Sequence, residues 1–307
     1  MAEDNPPLIA IVGATAAGKT ALAIALAQQL GGAIVSADSR QVYRQMDIGT
    51  AKPTAAERAA APHDLLDVAD PDDEFSLATY QDLANTAIAA ITARGRVPLL
   101  VGGTGQYLAA ILQGWQVPRV PPQPALRAEL EAFAAEHGAA ALHARLAQAD
   151  PAAARGIDAS NVRRVVRALE VCIVTGEPIS QQQTMVPPPY QITTLWLQWP
   201  AAALYARIDA RVDAMIAAGL EDEVRALVDA GYGWELPSMS GLGYREWQPL
   251  FAGEATRAAV VERLKFNTHA FARRQPGWFR RLPGLVPLDG AAPDLVEQAR
   301  GKLRIEN

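Results

Sequence analysis

The chain is nearly without cysteine. Cys172 is the single one among 307 residues, which excludes an internal disulfide framework and any cysteine-cluster zinc site. Histidine is scarce as well: His63, His137, His143 and His269 show no metal-ligand spacing, so each reads as structural. No apolar run approaches the length that crosses a bilayer. The opening MAEDNPP is acidic and polar, without targeting character, so a soluble cytoplasmic protein is the expectation. Positive charge is not in excess: a formal net charge of −5 speaks against a polyanion-binding surface over the whole molecule and leaves room only for local basic patches. No internal repeat or low-complexity tail is present, and nothing demands a partner chain, so a monomer is expected. What the chain does have is 50% hydrophobic residues, enough for a substantial core, and abundant alanine, which favours helices.

One stretch organises the rest. Residues 8–12 read as a short buried strand, and the octet Gly13, Ala14, Thr15, Ala16, Ala17, Gly18, Lys19, Thr20 fits G-x-x-x-x-G-K-[ST]. Glycines let backbone N–H groups turn inward around phosphate oxygens, Lys19 adds a point charge, and Thr20 can reach a Mg²⁺ ion. A helix over 19–30 presents its positive end to the same anion. Read alone, such a loop would be assigned to ATP or another nucleotide; strictly, it reports a phosphorylated ligand and no more. A second apolar strand at 33–37 runs into Asp38, Ser39, Arg40 and Gln41, and a third at 97–101 ends in Gly102-Gly103-Thr104. In a parallel sheet, residues just past the strand ends face the ligand crevice. Asp38 there can bind Mg²⁺ or act as a general base, but it can equally cap a helix. Thr104 can donate to a phosphate oxygen or cap the helix that follows.

Alternating strands and helices predict an α/β fold, a phosphate-loop NTPase-like parallel sheet. Proline-rich passages at 117–124 and 186–190 bracket a segment with helical periodicity only. They predict a helical insertion at 118–190 within a core made of 1–117 and 191–307. Beyond it, a strand at 194–199, helices at 201–217, 220–230, 244–251 and 254–274, and a last strand at 285–288 complete the expected order. The loop 46–53 is turn-rich without clear periodicity. Basic residues cluster twice: Arg163, Arg164 and Arg167 on a helix over 161–175, and a run from 263 to 281 that contains Arg273 and Arg274, no acidic residue, and the aromatics Phe266, Phe271, Trp278 and Phe279. Positive charge mixed with aromatics suits loop RNA, although a solvated helix face with its aromatics turned inward would read the same. Arg207 and Arg211, four apart, either clamp a phosphate or pair with Asp209 and Asp213.

Taken together, GATAAGKT, SADSRQVYRQMDIGTAKP, VGGTGQYL, RRVVRALEV, RIDARVDAMIAAGLEDEV, GLGYREW and FARRQPGWFRR resemble the tRNA dimethylallyltransferase (isopentenyltransferase) family, whose members modify adenosine 37 of tRNA. The resemblance spans residues 8–281. Ala14 and Ala17 stand where the family more often has Pro and Ser, at positions that bind phosphate through the backbone. The resemblance implies that the loop holds the diphosphate of dimethylallyl diphosphate rather than ATP. It implies catalytic roles for Asp38, as general base toward N6 of adenine, and for Thr104 and Arg211 on the diphosphate path, with Mg²⁺ at Thr20. It further implies tRNA contacts at Asp38, Ser39, Arg40, Gln41, Arg127, Arg163, Arg164, Arg167, Gly243, Tyr244, Arg245, Arg273 and Arg274, with the insertion gripping the anticodon stem-loop. The implied product is N6-dimethylallyladenosine in tRNAs reading codons that begin with U. A small-metabolite kinase, a noncatalytic RNA-binding switch and an isopentenyltransferase acting on free AMP are the competing readings. The first needs ATP turnover, the second has no use for Asp38, and the third has none for a basic insertion.

Overall fold

The computed structural model describes residues 5–303. The run PLIAIVG forms β1 (Pro7–Gly13), nearly all of it buried, as expected of a central strand covered on both faces. After the phosphate loop comes α1 (Lys19–Leu30), stopped by Gly31, whose left-handed φ of 61° lets its N–H return to Ala27 O. Then follow β2 (Ala33–Ala37), α2 (Ala55–Ala60), β3 (His63–Asp64), α3 (Leu77–Ala93), β4 (Pro98–Gly102) and α4 (Gly105–Leu112). Thr54 and Glu57 form a capping box at α2, and Ser76 caps α3 by accepting from Thr79 N–H. The sequence pattern missed both α2 and the two-residue β3, each too short to show a period.

Among the described residues, 5–112 with 188–303 form one compact unit and 113–187 another. The second consists of α5 (Pro124–His137), α6 (Ala139–Ala149), α7 (Pro151–Gly156), α8 (Val162–Thr175) and α9 (Ile179–Gln182) around a core that includes Leu130, Leu142, Leu146, Val165 and Leu169. Glu170 is buried within it and accepts from Arg127 Nε (2.7 Å), Arg127 Nη2 (2.9 Å), Arg167 Nη1 (2.5 Å) and Gln123 N–H (2.7 Å). Cys172 packs in the same core, its sulfur accepting from Ile179 N–H.

The chain returns to the sheet at β5 (Gln191–Gln198), continues through α10 (Ala201–Ala217) and α11 (Leu220–Asp229), and reaches the 3₁₀ turn Arg245–Trp247 and α12 (Gln248–Phe251). It closes with α13 (Arg257–Arg274), α14 (Pro276–Phe279), β6 (Leu285–Asp289) and α15 (Leu295–Gly301). The continuous helix expected over 244–251 is thus split, and the one expected from 254 starts at Arg257 behind its cap, Thr256.

All six strands are parallel, in the order β3-β2-β4-β1-β5-β6. Register aligns Val12 with Gly102, and Gly102 with Ala37, so β1, β2 and β4 end level with one another. Gly102 is required there: a Cβ would fall 2.1 Å from Ala37 O. The strand order reverses beside β1, placing the crevice at the tips of β1 and β4, where ligands bind in open parallel sheets. One apolar cluster joins α1 and α15 to the sheet through Leu22, Leu26, Leu99, Leu195 and Ala299. A second packs residues 42–48 against α10, α11 and α13 through Met46, Val212, Val224, Tyr244, Trp247 and Leu264. Among the described residues no helix is long and apolar enough to cross a membrane.

Candidate active site

At the tips of β1, β2 and β4 lies a cleft of about 1070 Å³, lined by the phosphate loop, Asp38, Ser39, Thr104, Arg211 and Gln275 among others. Several carbonyls of the loop's backbone are tied down from behind. Lys19 Nζ donates to Gly13 O (3.0 Å) and Ala14 O (2.9 Å). Arg207 Nε donates to Ala16 O (2.9 Å), and Trp199 Nε1 to Ala17 O (3.0 Å), while the Arg207 guanidinium lies over the Trp199 ring. Ala16 holds a left-handed φ of 62°, the kind of backbone twist that turns successive N–H groups toward one anion. Ala14, Ala16 and Ala17 are all buried and pack against apolar neighbours, so alanine fits at these positions.

The N-cap of α1, Gly18, supplies no side-chain cap, leaving the first-turn N–H groups of the helix to an anion. Two cations face that position. Burial and the positive charge of Arg211 lower the Lys19 ammonium to about 8, with Asp38 acting in the opposite direction. Burial also lowers Arg211, opposed by Asp38 and Glu57. Two like charges held together, opposed by the carboxylates of Asp38 and Glu57, form a site that favours a polyanion.

Asp38 does not cap a helix. Its Oδ1 accepts from Arg40 N–H at 2.9 Å, closing a turn that holds the carboxylate at the end of β2. Thr104 Oγ1 accepts from Ser39 N–H at 3.0 Å, so the hydroxyl links the turn after β4 to the turn after β2. Tyr80 and Tyr107, within electrostatic reach of Asp38, stack at 3.7 Å, and burial raises both hydroxyls. They add no charge to compete with the carboxylate.

Residues 41–282 match the family model described as IPP transferase, and residues 6–67 match a second described as isopentenyl transferase. The chain belongs to the IPP transferase family. It is 67% identical over 293 residues to a tRNA dimethylallyltransferase of Roseiflexus sp. strain RS-1, covering 95% of this chain and 96% of the relative. The corresponding protein of Thermomicrobium roseum is 46% identical, covering 97% and 90%. Among solved structures, the full-length tRNA isopentenylpyrophosphate transferase of Bacillus halodurans has a TM-score of 0.71 and 40% identity, covering 96% of each chain. A eukaryotic dimethylallyltransferase acting on tRNA has a TM-score of 0.83 at 27% identity, covering 96% of this chain and 77% of its own.

Within this IPP transferase family member, the residues assigned to tRNA fall into two groups. Several side chains are committed inside the protein. Tyr244 is fully buried and its hydroxyl donates to Glu223 Oε1 (2.7 Å). Gln41 accepts from Ser36 Oγ and donates to Thr50 O and Ala51 O. Arg127 and Arg167 are joined to Glu170. These positions build the scaffold because each polar end already has a partner. Arg163, Arg164, Arg273 and Arg274 are exposed, as is Arg245, although its Nε donates to Glu246 Oε1 (2.9 Å); Phe266, Phe271 and Trp278 are exposed too, whereas Phe279 is buried. Neither aromatic of α13 turns to the core, and of the two in α14 only Phe279 does. Gly243, with φ 101°, fits against Gly49 where a Cβ would lie 3.0 Å from Gly49 O. Arg40 donates to Pro237 O. Asp209 and Asp213 pair not with Arg207 or Arg211 but with His269 and Lys265, leaving Arg211 to the cleft.

Two residues carry no local sequence signal strong enough to mark them. Glu223 accepts from the backbone N–H groups of Asp47 (2.8 Å), Ile48 (2.7 Å) and Gly49 (3.0 Å), which gives the aperiodic loop its shape. Its one trace in the sequence is the acidic first turn of α11. Gln275 joins two loops that lie far apart in the chain, its bond to Gly103 spanning 172 positions, a contact no local pattern announces. Among the described residues no cluster of His, Cys, Asp or Glu forms a metal site.

Proposed function

We propose that the protein is a tRNA dimethylallyltransferase that transfers a dimethylallyl group from its diphosphate to N6 of adenosine 37 in the anticodon loop. The observation carrying this reading is the convergence of Lys19, Arg211 and Asp38 at the phosphate loop: two cations for a diphosphate, and one carboxylate beside them. Lys19, the first N–H groups of α1 and the loop N–H groups other than those of Thr15 and Ala17 hold the diphosphate, and Arg211 neutralises charge that grows on the departing oxygen. The amine lone pair attacks the allylic carbon, the carbon–oxygen bond breaks, and diphosphate leaves with the bonding electrons. Asp38 takes the proton from N6, restoring a neutral adenine. Thr104 fixes the Ser39 backbone, and so the turn that carries Asp38. The target base has to leave the loop stack to reach the cleft.

Thr20, which lines the cleft directly after Lys19, and the carboxylate of Asp38 suit Mg²⁺, an ion bound through one or two protein ligands plus phosphate oxygens. Bound there, the ion would neutralise diphosphate charge. Arg163, Arg164, Arg245, Arg273 and Arg274 supply tRNA phosphate contacts, with the helical unit contributing the first two. We assign the product as N6-dimethylallyladenosine in tRNAs reading codons that begin with U, and the working form as a cytoplasmic monomer.

The test is to incubate labelled dimethylallyl diphosphate, Mg²⁺ and unmodified tRNA bearing A36-A37-A38 with the protein and with Asp38→Ala. Label should move to adenosine 37 with the wild type. Asp38→Ala should lose about a thousandfold or more in rate, as expected for a combined proton-acceptor and positioning role, while still binding tRNA. Transfer by Asp38→Ala at the wild-type rate would remove the general-base role.

A further inference from the structure

Residues 47–54 line the cleft, yet no helix or strand holds their backbone. Three successive N–H groups, those of Asp47, Ile48 and Gly49, converge on one carboxylate instead. Glu223 Oε2 accepts from Asp47 (2.8 Å) and Ile48 (2.7 Å), and its Oε1 accepts from Gly49 (3.0 Å) and the Tyr244 hydroxyl (2.7 Å). Consecutive backbone donors turned to one anion form a nest, the device a phosphate loop uses for its ligand. Here the anion belongs to the protein. It is carried by the first turn of α11, where negative charge is favoured. Burial first, and then Glu223, push the Tyr244 hydroxyl well above its ordinary value, so it stays a donor to the same carboxylate.

Beyond the nest the loop bends through Ala51, whose φ of 46° is a left-handed twist that alanine does not favour. Backbone of this kind persists only where its surroundings over-determine it. The carbonyls of Thr50 and Ala51 accept from Gln41 Nε2 at 3.3 and 3.2 Å, and Gln41 Oε1 accepts from Ser36 Oγ at 3.1 Å. Ser36 stands two residues before Asp38 and Gln41 three residues after it. Their bond therefore closes the turn that carries Asp38. The same Gln41 amide rests on the loop that Glu223 shapes.

We propose that Glu223 is a positioning residue for the transfer: its carboxylate fills the nest, the nest sets the Thr50 and Ala51 carbonyls, and these hold the Gln41 amide that closes the Asp38 turn. This rests on Asp38 being the proton acceptor, as proposed above. Glu223 acts through backbone and not on the reacting atoms. A carboxamide cannot replace it, because each oxygen accepts from a backbone N–H and glutamine must turn its NH₂ toward one of them. A free carboxylate can, since Glu223→Ala removes the equivalent of one acetate ion.

The experiment measures transfer from dimethylallyl diphosphate to tRNA in Mg²⁺ with both substrates saturating, and alongside it the binding of tRNA and of pyrophosphate. Glu223→Ala should lose roughly tenfold to a hundredfold in kcat, with both affinities within about threefold of the wild type. Acetate, which has the size and charge of the atoms removed, should restore most of that kcat. Acetamide, or chloride at equal ionic strength, should not. Glu223→Gln should behave as Glu223→Ala does without acetate. Gln41→Leu, which cuts the link between the loop and the Asp38 turn, should lose kcat in the same way and gain nothing from acetate. Wild-type kcat in Glu223→Ala, a loss that acetate does not restore, or a fall of either affinity along with kcat overturns the proposal. If Glu223→Ala does not fold, wild-type kcat in Gln41→Leu overturns it. A wild-type protein that transfers nothing sinks the proposed activity itself, whereas equal transfer by the wild type and Glu223→Ala sinks only the role of Glu223.

Discussion

Lys19 carries a pH dependence with a definite sign. Its ammonium is lowered to about 8 in the folded protein from the ordinary lysine value of 10.5, by burial first and Arg211 second. Between those values the unfolded chain binds more protons than the folded one, so the Lys19 contribution makes stability rise with pH from about 8 toward 10.5. A bound diphosphate favours the charged form and inverts the effect for binding. Pyrophosphate affinity should therefore hold below pH 8 and fall as pH rises above it, with proton uptake on binding. Arg211→Gln removes a neighbouring positive charge, so the fall should move to higher pH even as overall affinity drops. Isothermal titration in two buffers of different ionisation enthalpy reads both quantities; a midpoint unmoved by Arg211→Gln would show that the two charges do not share a site.

Helix α8 illustrates a face divided between scaffold and surface. Glu170 is buried, and burial alone would raise its carboxyl; hydrogen bonds from Arg127, Arg167 and Gln123 N–H instead hold it down to about 2. The stability this contributes is present above the ordinary value of 4.5 and is lost as pH falls from there toward 2. Glu170→Ala strands two arginines that are each about a third exposed, so water compensates partly. The expected loss is about 2–4 kcal/mol, below the full cost of breaking a wholly buried pair. Thermal unfolding at pH 7 checks the size, and a loss under about 0.5 kcal/mol would show a surface-like pair. In the arginine-rich pattern of this helix, sequence could see the charge but not that Arg167 turns to Glu170 while Arg163 and Arg164 face solvent. Three to four residues, about one turn of helix, separate these roles, and only packing shows which side is inward.

Over the whole molecule, the acidic net charge of −5 coexists with the exposed arginines of α8 and α13. Local basic patches of this kind, one on each unit, should bind tRNA in a salt-dependent way, because binding releases counterions. Arg163→Glu with Arg164→Glu should weaken tRNA binding about tenfold or more and flatten its salt dependence, with pyrophosphate binding unchanged. Filter binding across a salt series tests this; loss of pyrophosphate binding as well would mean the variant had disturbed more than a surface.

Local rules were sufficient for much of this protein. The strand–loop–helix at Gly13–Thr20, the strand ends at Asp38 and Thr104, and the proline-bracketed helical segment all follow from hydrophobic period and turn chemistry, which act within a few residues. Tertiary contacts decided the rest. Glu223 shapes the loop at Asp47–Gly49 from 174–176 positions away, Gln275 reaches Thr15 across 260, and Tyr244 is drawn into the core. Arg207 turns to the Ala16 carbonyl while Arg211, one helical turn on, is left to the cleft. A side chain's role depends on which partner satisfies its polar end. For residues distant in sequence, that is settled only when the sheet order brings their loops to one edge.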